Sequence, residues 1–243
     1  MRGAGTLSQL LSTATMRDET ERGASIAVLP VGSLEQHGDY LPLSTDTLIA
    51  CIIAREIAEA YGLMLLTPIT ITCSHEHASW HGTVSISART LHQIVADVAE
   101  SLRASHVERL LIVNAHGGNY VLSNIVQEAS IDAPRMALFP TSEDWKDARA
   151  AAGLVTDAHT DMHAGELETS ILLHAMPEVV RDGYENADHV ADDRRDLLAL
   201  GMRAYTTSGV IGKPSLASVE KGKAVLESLT ELAQRACTTL RAR

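Results

Sequence analysis

Residues 29–47 read Leu-Pro-Val-Gly-Ser-Leu-Glu-Gln-His-Gly-Asp-Tyr-Leu-Pro-Leu-Ser-Thr-Asp-Thr. The apolar run from Ile26 to Val31 stops at Gly32, and Glu35 and His37 follow at once. Gly38 and Pro42 turn the chain before Asp46 opens the next helical pattern. Side chains alternate along an extended segment, so Glu35 and His37 point the same way. A strand end that carries a carboxylate beside an imidazole, with a further ligand on the next element, suits a metal site in the crevice beyond the carboxyl ends of a parallel sheet. Oxygen ligands mixed with imidazole suit zinc, manganese or iron. The plainer reading makes Glu35 and His37 solvated loop residues and Asp46 the N-cap before Leu48, Ile49 and Ala50.

Outward from this stretch the chain alternates between two patterns. Residues 24–31 suit a buried parallel strand. Residues 47–61 have a helical period with Gly62 as C-cap. A strand follows at 63–67, able to extend to Thr72, then a helix at 90–104 and the most strongly patterned strand at 109–114. A helix is expected over 119–130 and a strand over 135–139. Residues 140–165 read as loop with a short helix, 166–176 as helix, and 178–195 as a polar, acidic surface excursion. Leu226, Leu229, Ala233, Ala236 and Leu240 follow a 3-4-3-4 spacing, which predicts a long packed terminal helix. At the other end, residues 5–16 are weakly helical and 17–24 polar, so the ordered domain is expected to begin near Ala24. The alternation predicts one α/β domain over 1–243, a mostly parallel sheet covered by helices on both faces.

Composition narrows the function. Aromatic residues make up 3% of the chain, with a single Phe, so the core must be built from Leu, Ile, Val and Ala. A net charge of −11 argues against nucleic-acid binding, which needs a basic surface, and against an anionic membrane. Cys51, Cys73 and Cys237 form no C-x-x-C pair and read as buried, reduced thiols. No apolar run suits a signal sequence or reaches the ~18 residues of a membrane helix, so the cytoplasm is the expected location.

Three clusters fall where strand-end loops should be. Asn114-Ala115-His116-Gly117-Gly118-Asn119 follows the best strand. Gly117 and Gly118 let the backbone approach a ligand closely, and His116 is placed to bind a metal or anion, or to sit as a satisfied loop histidine. In Asp161-Met162-His163-Ala164-Gly165-Glu166-Leu167-Glu168, a helix starting after Gly165 puts Glu166 and Glu168 in its favoured first turn. Residues two apart on a helix face differently. Glu168 begins the inward series with Ile171, Leu172 and Ala175, whereas Glu166 should face solvent or substrate. An inward carboxylate needs a cation, so Glu168 is the ligand candidate. The third cluster, residues 74–83, holds three histidines within seven residues but no spacing for a closed zinc site. It reads as a substrate-facing loop, with Ser74, Trp80 and His81 joining Gly117 and Gly118 around the substrate. His106, His159, His174 and His189 have no comparable context. Phosphate-binding glycine loops and the G-x-S-x-G nucleophile pattern are both absent, which leaves metal-assisted hydrolysis as the leading chemistry.

Taken together, residues 29–47, Ser-His-Glu-His followed by Gly-Thr, Asn-Ala-His-Gly-Gly-Asn, His-Ala-Gly-Glu-Leu-Glu-Thr-Ser and Ser-Gly-Val-Ile-Gly-Lys-Pro at 208–214 resemble the creatininase (creatinine amidohydrolase) family. The resemblance implies an α/β/α sandwich and two divalent ions of zinc, manganese or iron. Glu35 and His116 would hold one ion, His37 the other, and Asp46 would bridge. Creatininase itself carries Glu two residues after the metal-binding His; here that position is Gly118, and the chain is similar instead to the His-Gly-Gly-Asn branch, in which Glu168 completes the second site. That branch includes formamide deformylases and the mycofactocin-system creatininase-like peptidase. The implied reaction is hydrolysis of a non-peptide or cyclic amide by a metal-activated water, or alternatively of a formamide or short modified peptide. In it His163 is the proton donor to the leaving nitrogen and Glu166 assists as base or orients substrate. A homo-oligomer, often a hexamer, is also implied. A non-catalytic metal-binding protein on the same scaffold is the alternative of another class.

Overall fold

The computed structural model describes residues 10–242. Strand β1 (Ile26–Val31) lies inside a four-stranded sheet with β2 (Met64–Leu65), β3 (Arg109–Asn114) and β4 (Met136–Phe139), in the order β2-β1-β3-β4 and parallel throughout. β1 and β3 pair along their whole length, from Ile26 opposite Arg109 to Val31 opposite Asn114. The chain segments carrying Glu35 and His116 therefore leave the sheet side by side.

The pleat sorts the strand side chains into two layers. Ile26, Val28, Leu111, Val113 and Phe139 face helices α2 (Thr45–Tyr61), α5 (Ser142–Ala151), α6 (Glu166–Ala175) and α8 (Val219–Arg241). Ala27, Leu29, Val31, Leu110, Ile112 and Met136 face α3 (Ala88–Ala104) and α4 (Val121–Ala129). The result is the expected three-layer α/β/α sandwich. Each fully buried Leu or Ile contributes about 1.5–3 kcal/mol, and the single Phe, Phe139, is fully enclosed. The three cysteines are buried and unpaired.

Some expectations need correction. The ordered chain begins before Ala24: α1 (Met16–Arg22) is closed by a Thr15–Asp18 capping box and by Gly23 in the left-handed region. It buries no residue, so local caps rather than an apolar stripe specify it. The weak helical signal at 5–16 lies partly outside the described residues, and 10–15 are not helical. The second strand is only two residues long. Pairing resumes at Ile69, whose N–H reaches Pro30 O at 3.0 Å, after Pro68 has interrupted the ladder by lacking a donor.

The terminal helix α8 spends its apolar face on the molecule's own core, with Val225, Leu229, Ala233, Cys237 and Leu240 fully or nearly fully buried. It approaches α6 so closely that a Cβ at Gly222 would lie 1.9 Å from Ser170 O. The acidic excursion is tied down. His189 pairs with Gly212, Asp188 holds Ser215, and the Arg194 guanidinium donates to the carbonyls of Ala191 and His159. It ends in the short helix α7 (Leu197–Leu200). No helix among the described residues is long and apolar enough to cross a membrane.

Candidate metal centre

Beyond the carboxyl ends of β1 and β3, five side chains expected as ligands converge. Glu35 and His37 come from the extended segment after β1, and Asp46 from the first turn of α2. His116 follows β3, and Glu168 stands in the first turn of α6. Ser44, not Asp46, occupies the N-cap position of α2, so the plainer reading of Asp46 fails. Glu35, His37, Asp46 and His116 are buried, and Glu168 is nearly so.

Hydrogen bonds fix which imidazole nitrogen is free. A carbonyl can only accept, so His37 Nδ1–H donates to Glu35 O (3.1 Å) and His116 Nε2–H to Cys73 O (2.9 Å). His37 then aims Nε2 at Asp46 Oδ1 (3.1 Å), with Glu168 Oε2 4.0 Å away. His116 aims Nδ1 at Glu35 Oε1 (3.2 Å) and Asp46 Oδ2 (3.3 Å). Lone pairs thus face carboxylates across both halves of the cluster. Glu35 Oε1, Glu35 Oε2 and Asp46 Oδ2 are buried without an aligned hydrogen bond. Such atoms need a cation. The same carboxylates favour a second proton on either ring. Burial alone would lower both, but Asp46, Glu168 and Glu35 drive His37 up to about 9, and Glu35 and Asp46 hold His116 well above the ordinary value. Glu35, Asp46 and His116 form one group able to hold a metal ion, and His37, Asp46 and Glu168 another, with Asp46 in both.

The Glu168 carboxyl is pushed up to about 7 by burial, against the pull of His37. Its Oε2 accepts the Ala164 N–H at 2.6 Å. Ala164 stands in the left-handed region (φ +53°), a cost of about 1–3 kcal/mol for a residue with a Cβ, and the Tyr40 hydroxyl donates to its carbonyl. Gly118 could not carry a replacement carboxylate unaided. A Cβ there would lie 2.2 Å from Glu76 Oε1 and 2.4 Å from His116 Nε2.

His163 is buried beside the cluster, its ring centroid 4.2 Å from that of His37. Its Nε2–H donates to Gln36 O at 2.6 Å, which leaves Nδ1 facing Glu35 Oε1 at 3.8 Å. Sequence reasoning missed two neighbours. His77 directs Nε2 at Glu35 Oε1 (3.2 Å), and Gln36 donates from Nε2 to His77 Nδ1 and to Gly209 O, each at 3.0 Å. The signal for His77 lay in the Ser-His-Glu-His stretch, whose 3-10 turn brings only the second histidine inward.

Other expected site residues lie elsewhere. Glu166 faces neither solvent nor the cluster. It is fully buried, bonded to Lys221 Nζ (2.5 Å), to Thr156 Oγ1 (2.6 Å) and to the backbone N–H groups of Val155 and Thr156. Its neighbour in the helix looks inward because the two residues are separated by about 200° of helical rotation. Burial raises the Glu166 carboxyl, but these donors outweigh it and hold it below its ordinary value of 4.5. The ion pair's contribution is therefore complete above that value and lost as pH falls through the lowered one. Glu166→Gln is expected to cost about 2 kcal/mol, to remove this acid sensitivity and to leave metal content and turnover unchanged; chemical denaturation across pH, beside an assay, would check it. Turnover lost at unaltered stability would restore a catalytic role. Ser74 is likewise fully buried, its hydroxyl engaged with that of Ser33. Trp80 is half-buried beside His77 with the Arg203 guanidinium 5.2 Å above its ring, while His81 and Gly117 are exposed.

An α/β/α sandwich with a buried His/Glu/Asp cluster at the carboxyl rim of its sheet offers groups able to hold metal ions, and its family and relatives make the protein a hydrolytic enzyme acting on carbon–nitrogen bonds. The pattern of the creatinine amidohydrolase family matches residues 10–237, and the chain belongs to that creatininase family. The mycofactocin precursor peptide peptidase of Mycobacterium ulcerans (strain Agy99) is 35% identical, over 91% of this chain and 87% of that protein. Creatinine amidohydrolase of Pseudomonas putida is 24% identical, over 84% and 85% of the two chains. A crystal structure of creatininase superposes with a TM-score of 0.80 at 22% identity, covering 95% of this chain and 97% of that one. Similar folds are found in zinc and manganese forms of creatininase.

Proposed function

We propose that this amidohydrolase works with two divalent ions, zinc, manganese or iron. Glu35, Asp46 and His116 would hold one and His37, Asp46 and Glu168 the other, with Asp46 offering one oxygen to each. The observation that carries this reading is the set of buried, unbonded carboxylate oxygens facing imidazole nitrogens whose protons are committed elsewhere. When bound, such ions polarise a carbonyl and lower the pKa of water.

The chain's own residues supply the proton chemistry. Burial, reinforced by the neighbouring His37 and His77, holds His163 well below its ordinary value, so it is neutral near pH 7. With Nε2–H fixed on Gln36 O, Nδ1 is the atom that takes the proton from the attacking water and returns it to the leaving nitrogen. Gln36 and His77 keep that ring and the Glu35 carboxylate in register. The burial of all these groups excludes bulk water, which strengthens each charge interaction.

The substrate class is a non-peptide, cyclic or formyl amide. A second reading, cleavage of a short modified peptide, is favoured by the higher identity to the precursor peptide peptidase than to creatinine amidohydrolase. Assembly as a homo-oligomer belongs to the same proposal. Elemental analysis of the purified protein tests the centre, with about two ions per chain expected. One ion would remove Glu168 from the ligand set, and none after reconstitution would overturn the proposal. Creatinine, formamides and short peptides assayed on the loaded protein would then separate the two substrate readings.

A further inference from the structure

A cavity of about 470 Å³ opens beside the cluster, between the 73–79 loop, the start of α4 and α7. This volume lies in the range of small-ligand sites. Tyr120, Val121, Leu198 and Leu200 supply apolar wall, and Glu76 and Gly118 stand where the cavity meets His116. Leu198 and Leu200 are 73% and 61% exposed, so they turn apolar surface to solvent at this cavity. The roof they belong to is nonetheless fixed. A Cβ at Gly201 would lie 3.1 Å from Glu76 O, and Arg203 is stacked on Trp80.

Glu76 is the one carboxylate lining this cavity. Its Oε1 lies 3.5 Å from His116 Nε2, whose proton is already given to Cys73 O. Among the described residues, the Glu76 carboxylate takes a hydrogen bond from its own backbone N–H and no side-chain donor other than the His116 ring stands against it. An acceptor with unspent capacity, set among apolar walls, is complementary to a cation carried on an apolar group.

We infer that this cavity is a substrate subsite for an apolar group bearing a cationic amine or amidine, with Glu76 as the residue that binds the charge. The inference rests on the amidohydrolase reading and deepens it. The His116 ring stands between Glu76 and the ligand nitrogen Nδ1. The cation is therefore a group separate from the scissile bond, about one imidazole away from it.

Calorimetric titration of the metal-loaded protein tests the subsite with three probes of one shape: phenethylamine, phenethyl alcohol and phenylacetate. The amine should bind about tenfold or more tightly than the alcohol, and phenylacetate weakest. Glu76→Gln should erase the preference for the amine at wild-type metal content. Leu198→Ala with Leu200→Ala should weaken amine and alcohol together. Equal affinity for the three probes, a preference that survives Glu76→Gln, or metal lost from that variant would each overturn the assignment. Titration reads binding without turnover, so its failure leaves the hydrolase reading standing, and a protein inactive on every amide tested can still pass it.

Discussion

Asp46→Ala is expected to abolish tight binding of both ions and to lower turnover by at least about 10³-fold, the several kcal/mol that metal polarisation and water activation supply. Asp46 is common to the Glu35/Asp46/His116 group and the His37/Asp46/Glu168 group, so its removal leaves neither of these two complete. The same substitution separates a lost centre from a lost fold. In metal-free protein, against the effect of burial, the His37 and His116 rings hold the Asp46 carboxylate well below its ordinary value. Its removal should therefore also destabilise the apo form, and circular dichroism of the apo variant shows whether the fold is kept. The loaded wild type should melt further still above the loaded variant, because ligand binding to the native state adds to its stability. Elemental analysis and thermal melts with and without metal check both halves. A variant that keeps two ions would remove Asp46 from the bridge.

His163→Ala is expected to retain its metal while turnover falls by about 10²–10⁴-fold, the usual contribution of a positioned acid–base group. Geometry leaves one rival role, because Glu35, His37 and His163 also lie close enough together to hold an ion. Metal content decides between them: one ion lost with His163 makes it a ligand. The pH profile adds a second criterion. His163 works in its neutral form and is held well below the ordinary histidine value, so wild-type activity should decline as pH falls through that lowered value. The variant's residual activity should lack that acidic limb.

Much of this centre was legible in the sequence because its residues obey local rules. Glu35 and His37 sit two apart on an extended segment, and His116 ends the most regular strand. The helical period of α6 alone separated inward Glu168 from its neighbour. That period could not say where Glu166 goes, because its destination is Lys221, 55 residues further on and brought close by the packing of α8 on α6. Gln36 was hidden for the opposite reason. Alternation sends it away from Glu35 and His37, toward what a strand model treats as solvent, yet His77, Gly209 and the loop around His163 close over it. The left-handed Ala164 was equally unreadable, since nothing local asks an alanine to adopt that backbone. Tertiary hydrogen bonds impose it.

The parallel sheet has a consequence for how the protein is made. Neighbouring strands β1 and β3 are more than seventy residues apart in the chain, and β2, between them in sequence, lies on the far side of β1. No pair of strands can close as a hairpin, so the rim that gathers residues 35, 46, 116 and 168 forms only after long loops have been closed. Topologies of this kind fold slowly, because loop-closure entropy comes before any reward in contacts. On the ribosome, the chain must be extended past α6 before its ligand set exists at all. The residues gathered at this rim are therefore a product of the finished topology and of no single segment of the chain.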